Sequence, residues 1–153
     1  MKNYKRIIFV CRDNTCRSMM AEASMKSIQS NMPIEKRSEV ISRGVVVLFP
    51  EPMNPKAIEV LKANQLNLTK QQSEELKETD IDSDTLVLAM TENEKNHIKE
   101  HFKANPNLFT LREFAGEAGD IAMPHGGTIQ EYGVLYEHID LLVKLVAEKL
   151  VAL

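Results

Sequence analysis

Ile7-Ile8-Phe9-Val10-Cys11-Arg12-Asp13-Asn14-Thr15-Cys16-Arg17-Ser18 changes character twice along its length. The apolar, largely β-branched run from Ile7 to Val10 reads as a short buried strand. Residues 11–17 are polar or small and cannot continue it. From Ser18 onward, Met19, Met20, Ala21, Glu22, Ala23, Met25 and Ile28 read as a helix with one apolar face. A Cys-x5-Arg-Ser loop therefore joins the end of a strand to the start of a helix. Unpaired backbone N–H groups and the positive end of the helix dipole converge at such a junction, so an anion is expected there.

The residue types suit a phosphate that is attacked as well as held. Cys11 would face the same amides and Arg17, which favour its thiolate and make it a nucleophile. Arg17 can grip two phosphate oxygens in a fork and neutralise charge in the transition state. Ser18 can donate to the thiolate, or return a proton when sulfur leaves phosphorus. Arg12, Asp13, Asn14, Thr15, Cys16 and Arg17 form the expected phosphate loop, braced through the amide of Asn14. The competing reading is a buried cysteine and a surface arginine at a chance spacing. Cys-x5-Arg alone carries little weight against it, and the surrounding strand and helix carry most.

Composition suits one domain spanning 1–153, because 43% hydrophobic residues can build a real core. Charged residues are mixed in sign and the net charge is −3, which gives no electrostatic reason to expect nucleic acid or an anionic membrane as partner. The apolar run behind the basic N-terminus is too short for a signal peptide, and no stretch could span a bilayer. Two cysteines at 11 and 16 make no disulfide framework, so a reducing cytoplasm is the expected location.

Strands and helices alternate along the chain. A second strand lies within Ser38–Val47, and Asn54-Pro55 opens a helix with Ala57, Ile58, Val60 and Leu61. Residues 69–76 read as a short polar helical piece. Thr85–Met90 is a nearly all-apolar, central strand, after which Thr91 caps a helix through His101. Asn107–Leu111 suggests a fourth short strand. A long loop, Glu113–Gly127, leads to a closing helix from Thr128 to about Leu150, with Leu135, Ile139, Leu142, Val143 and Val146 inward. The pattern predicts an α/β fold with a four-stranded parallel sheet covered by helices on both faces. Ligands in such sheets bind beyond the carboxyl ends of the strands, where Cys11 and the 113–127 loop would meet.

Other candidates are weaker. His97 and His101, with Glu94, share a helix face, yet no further ligand gathers there, so no metal is expected and a solvated face is the better reading. Met19, Met20 and Met25 read as core filler. Phe49 reads either as a wall of a substrate cleft or as plain core.

Val10-Cys11-x-x-Asn14-x-Cys16-Arg17-Ser18, followed by Met20-Ala21-Glu22, resembles the phosphate loop of the low-molecular-weight protein-tyrosine phosphatases. The resemblance continues through Asn54-Pro55-x-Ala57-Ile58-Glu59-Val60-Leu61, Met90-Thr91-Glu92, Phe114-Ala115-Gly116-Glu117 and Gly126-Gly127. It implies a phosphatase that needs no cofactor and works through a phosphocysteine on Cys11. A phosphorylated protein or small phosphomonoester would be substrate, and phosphate, sulfate or vanadate inhibitors. It also implies a reversible disulfide between Cys11 and Cys16. Arsenate reductases of similar fold need further cysteines to relay their disulfide, and none follows Cys16.

Departures from the family pattern bear on activity. Aligning Pro124 and Gly126-Gly127 puts Met123 where the family carries its general-acid Asp. Asp120, Glu117 and His125 are the nearby alternatives. Asp13 stands where the family usually has Gly, and Gln71 where it often has a loop-bracing His. Thr15 matches the protein-arginine phosphatase branch, whereas tyrosine phosphatases tend to carry a bulkier aliphatic residue. The expectation is a phosphotyrosine or phosphoarginine phosphatase of weakened activity. The alternative is a non-catalytic pseudophosphatase that binds phosphate or phosphoprotein.

Overall fold

The structure, a computed structural model, describes residues 3–68, 70–103, 107–124 and 126–152. Four strands, β1 (Arg6–Cys11), β2 (Glu39–Gly44), β3 (Thr85–Ala89) and β4 (Leu108–Thr110), form one sheet in the order β2-β1-β3-β4. Every pairing is parallel, with Ile8 opposite Ile41 on one side and Val87 on the other. Among the described residues five α-helices connect or close them: α1 (Arg17–Gln29), α2 (Pro55–Ala63), α3 (Glu92–His101), α4 (Leu111–Phe114) and α5 (Ile129–Ala152).

Side chains alternate across the sheet and feed two cores. Ile7, Phe9, Leu86 and Leu88 pack with α1, α2 and α5, whereas Ile8, Val10 and Val87 pack with Ile98 of α3 and with Leu108. Burial on both faces explains why β1 and β3 read as continuous apolar runs. Inward positions of α5 match expectation, since Ile139, Leu142, Val143 and Val146 are wholly buried. Met19, Met20 and Met25 are core residues as expected. Helix starts follow their caps: Asn54 accepts from Lys56 and Ala57 N–H ahead of Pro55, and Thr91 Oγ1 accepts from Glu94 N–H.

The chain leaves β1 toward β2 on one side and returns to β3 on the other. The carboxyl end of β1 is therefore the point where the strand order reverses, and the crevice opens there. Among the described residues no helix is long and apolar enough to cross a membrane.

Three expectations need correction. Of the helical piece expected over 69–76, Thr69 lies outside the described residues and residues 70–76 are not helical. They run extended, bridging Pro52 at Gln72 and Gly44 at Glu75, because the end of β2 offers unpaired backbone groups. The first helix has no single apolar face, for it is buried on all sides from Arg17 to Met25. Its polar residues find partners there, with Ser24 on Asp140 (2.6 Å) and Glu22 on Ser42 and Lys26. The loop before α5 starts after Phe114 rather than at Glu113, since Thr110 and Glu113 cap the short α4 reciprocally.

Candidate active site

Cys11 ends β1, and the loop behind it is held from two sides. Val45 and Val46 N–H donate to the carbonyls of Cys11 (3.1 Å) and Arg12 (2.9 Å), and Asn54 N–H donates to that of Thr15 (2.9 Å). Gly44 makes the close approach possible. A Cβ there would lie 2.9 Å from the carbonyl carbon of Asp13 and 3.0 Å from the Arg12 oxygen.

Asn14 takes the left-handed conformation, φ 61°, which Asn tolerates better than most residues. Its backbone N–H points at Cys11 Sγ (3.2 Å). Its side-chain amide donates to Ser18 Oγ (2.8 Å) and Ser42 Oγ (3.0 Å) and accepts from Glu74 N–H (3.0 Å). Ser42 in turn donates to Glu22 Oε1 (2.5 Å). Ser18 Oγ accepts from Asn14 and lies 2.9 Å from Cys11 Sγ, so its proton can be given to a thiolate there. The sulfur is thus met by donors.

Arg17 is 8% exposed. Its Nη1 donates to the Ile121 carbonyl (2.8 Å), and Ile121 N–H is tied to the Met90 carbonyl at the end of β3 (2.9 Å). Arg17 Nε is buried with no partner. A buried donor left unpaired costs about 1–3 kcal/mol, more when charged, so an anion that accepts from this N–H would be favoured.

Cys16 is buried and its thiol is pushed up to about 12, by burial first, then by the charges of Cys11 and Asp13 against the opposite pull of Arg17. Both cysteines are free. Arg12 and Asp13 are exposed and Thr15 is half-buried, with its N–H donating to Asp13 Oδ1 (3.3 Å).

Two of the alternative proton donors have partners of their own. Asp120 Oδ1 accepts from Glu92 N–H (2.9 Å) at the start of α3, and Glu117 pairs with Arg112 (3.2 Å). Met123 is half-buried against the larger core. His125 lies outside the described residues. Phe49 is 67% exposed beside the still more exposed Leu48, which excludes its reading as core. Gln71 is exposed, and the brace from its segment is the backbone N–H of Glu74 instead. His97 and His101 stack on each other, and among the described residues no group of three or more His, Cys, Asp or Glu gathers as a metal site.

Sequence reasoning missed Ser42, Glu22 and Lys70, whose Nζ donates to the Ser42 carbonyl (2.6 Å). Glu22 is a carboxylate within the wholly buried run of α1, and that interruption is the signal that could have found it; Ser42 lies in β2 among other polar residues, where nothing marks it.

A thiol met by Asn14 N–H and Ser18 Oγ, followed six residues on by a buried guanidinium whose Nε has no partner, supplies the groups needed to bind a phosphoryl group and attack it. The comparisons agree. The family model described as low molecular weight phosphotyrosine protein phosphatase matches residues 6–152. A protein-arginine-phosphatase of Geobacillus stearothermophilus is 40% identical over 147 residues, 95% of each chain. The crystal structure of a low molecular weight protein tyrosine phosphatase from T. tengcongensis superposes with a TM-score of 0.87 at 32% identity, covering 94% of this chain and 98% of that one. An arginine phosphatase structure at 36% identity and TM-score 0.86, covering 95% of each chain, is a cysteine-to-serine mutant with a phosphorylated active-site serine. The chain belongs to the low-molecular-weight phosphotyrosine protein phosphatase family.

Proposed function

We propose that this protein is a cysteine-dependent protein phosphatase in which Cys11 is the nucleophile. The observation that carries the reading is that the strand-to-helix junction holds both Cys11 Sγ, met by Asn14 N–H and Ser18 Oγ, and a buried Arg17 whose Nε has no partner. Cys11 attacks phosphorus while Arg17 and the loop amides take up charge on the phosphoryl oxygens. Water then hydrolyses the phosphocysteine, and Ser18 donates to the departing sulfur. The phosphorylated serine of the related arginine phosphatase supports attack from this position.

Met123 occupies the general-acid position in this reading, and a thioether cannot donate a proton. Activity is accordingly weak on poor leaving groups. A second reading, a binding module without turnover, draws on the engagement of Asp120 and Glu117 elsewhere. Hydrolysis of nitrophenyl phosphate separates the two. Turnover that vanishes in Cys11→Ser supports the enzyme, whereas phosphate binding with no turnover on this activated ester supports the binding module.

A further inference from the structure

The last helix, α5, runs for 24 residues and buries one side only. Leu135, Ile139, Leu142, Val143 and Val146 fill the core, yet the solvent side is not polar throughout. Val134 (66% exposed) and Leu141 (55% exposed) stand on it, with His138 and Leu145 half-buried along the same line. Positions 134, 138, 141 and 145 follow the alternating four and three spacing of a helix–helix seam. An apolar seam in the middle of a solvent-facing arc adds little to the fold of one chain. The charges are sorted along the same helix. Its first half carries Glu131, Glu137 and Asp140 with no lysine or arginine, and its second half carries Lys144 and Lys149 with Glu148. Glu137 and Lys144 are both exposed and lie on one flank of the seam. Lys144 Nζ holds Asp140 of its own helix at 2.8 Å with the side chain still 58% exposed. Among the described residues no cation pairs with Glu137.

We propose that this seam is the contact of a symmetric dimer, in which α5 packs antiparallel against α5 of a second copy. A two-fold axis across the middle of the helix puts Val134 opposite Leu145 of the second copy and His138 opposite its Leu141, each layer occurring twice. The same register sets Glu137 beside Lys144 of the second copy, again twice, so the sorted charges meet their opposites. Lys144 can reach that carboxylate while keeping Asp140, since an ammonium has three donors. Parallel packing would set acidic half against acidic half and lose the match. The pattern is thus complementary to itself under a two-fold, which is why the occupant is a second copy. The ends add nothing: Glu148 falls opposite Glu131, and Lys149 is spent on the Phe114 carbonyl (3.1 Å). One helix against one helix buries less than the ~1,200 Å² of a stable complex, so the dimer is weak and forms at high protein concentration.

Sedimentation velocity of the full chain over roughly 5–500 μM, the range in which weak dimers dissociate, tests this. The wild type should move from 17.3 kDa toward twice that mass as concentration rises. Leu141→Glu should weaken association at least ~10-fold, since each copy then buries a carboxylate in the seam. Glu137→Lys and Lys144→Glu should each weaken it about 10-fold, because two attractive pairs become repulsive. An equimolar mixture of those two variants should associate like the wild type, for every cross pair is then a lysine with a glutamate. That recovery requires position 137 of one copy to meet position 144 of the other, and damage to the fold cannot produce it. If Lys144→Glu misfolds beside Asp140, Val134→Glu at its exposed position decides in its place, with the same ~10-fold loss expected. A wild type that stays monomeric throughout, a dimer indifferent to Leu141→Glu or Val134→Glu, or a mixture no tighter than its components overturns the proposal. Loss of the dimer in Leu48→Glu instead would assign association to the exposed pair Leu48 and Phe49, and overturns it as well.

Discussion

Arg17 Nη1 donates to the carbonyl of Ile121, more than a hundred residues away in sequence, at 2.8 Å. That bond restricts the orientation of the guanidinium. It takes one edge of the fork and leaves Nε buried and unpaired. The arginine is therefore oriented before any ligand arrives, and the oriented donor is what binds an anion at low entropic cost.

Phosphate, sulfate or vanadate should accordingly raise the melting temperature by mass action. Arg17→Ala is expected to abolish that shift. Arg17→Lys should recover little of it, since a lysine cannot both hold the Ile121 carbonyl and present a planar fork. Thermal melts across a vanadate series check this, and an unchanged response in Arg17→Ala would overturn the cradle.

Asn14 allows backbone strain and bracing to be separated. Asn14→Gly keeps the left-handed conformation freely but deletes the side-chain bonds to Ser18, Ser42 and Glu74. Asn14→Ala deletes the same bonds and adds strain of roughly 1–2 kcal/mol. Urea unfolding should therefore rank wild type above Asn14→Gly and Asn14→Gly above Asn14→Ala. Both variants should lose most of the anion response. Equal stability of Gly and Ala at this position would mean that the loop relaxes its φ.

The sheet was legible because β1 and β3 are buried on both faces, and a parallel strand so placed has no polar side to confuse its reading. Cap chemistry did the same for α2 and α3, through Asn54-Pro55 and Thr91. Residues 70–76 failed for the opposite reason. Their extended form comes from pairing with Gly44 and Pro52, a tertiary demand that their own polar composition does not encode. In the site, Cys11, Asn14, Arg17 and Ser18 were readable because they share one short loop. Ser42, Glu22 and the Glu74 N–H were not, since each reaches Asn14, directly or through Ser42, from another element.

Cys16 should leave a signature in alkaline stability. Its folded-state value of about 12 lies above the ordinary 9.0, so the folded protein keeps a proton that the unfolded chain releases. The stabilisation is full below about pH 9 and is lost as pH rises toward 12. Tyr136, raised from 10.0 to about 12 by burial first and then by Asp140, acts in the same direction over the upper part of that window. Urea melts between pH 8 and 11 should show stability falling with pH. Cys16→Ala should flatten the earlier part of the slope and Tyr136→Phe the later part. A slope unchanged in Cys16→Ala would show that this thiol ionises freely in the fold.

The same property sets the speed of disulfide closure. Peroxide should convert Cys11 to a sulfenic acid, which Cys16 then captures as a disulfide, with recovery under thiol reductant. A thiol held protonated is a slow attacker at neutral pH. Closure should therefore be faster at pH 9 than at pH 7, with sulfinic acid on Cys11 accumulating at the lower pH. Mass spectrometry of quenched samples measures both products. Sulfinic acid alone at both pH values would reduce Cys16 to a packing residue.

Met123→Asp examines the general acid directly. If Met123 holds that position, the wild type should depend steeply on leaving-group quality. A nitrophenol leaves unaided, whereas the phenol of tyrosine, with a pKa of about 10, needs a proton. Restoring a carboxyl should raise turnover of a phosphotyrosine peptide by ~10²-fold, the low end for a positioned acid, since Asp13 would still burden the loop. Turnover of nitrophenyl phosphate should rise far less. A phosphoarginine peptide should gain as well, because guanidine is a more basic leaving group than phenolate. Met123 is only half-buried, so the exchange should spare the core at which it packs. Equal gains on all three substrates would mean that the exchange acts on folding or binding. No gain on any would mean that the segment carrying Met123 does not reach the leaving group, or that another residue already supplies the proton. Asp120→Asn then becomes the deciding variant: since Asp120 already accepts from Glu92 N–H, its loss should lower stability at the start of α3 and leave the leaving-group dependence unchanged.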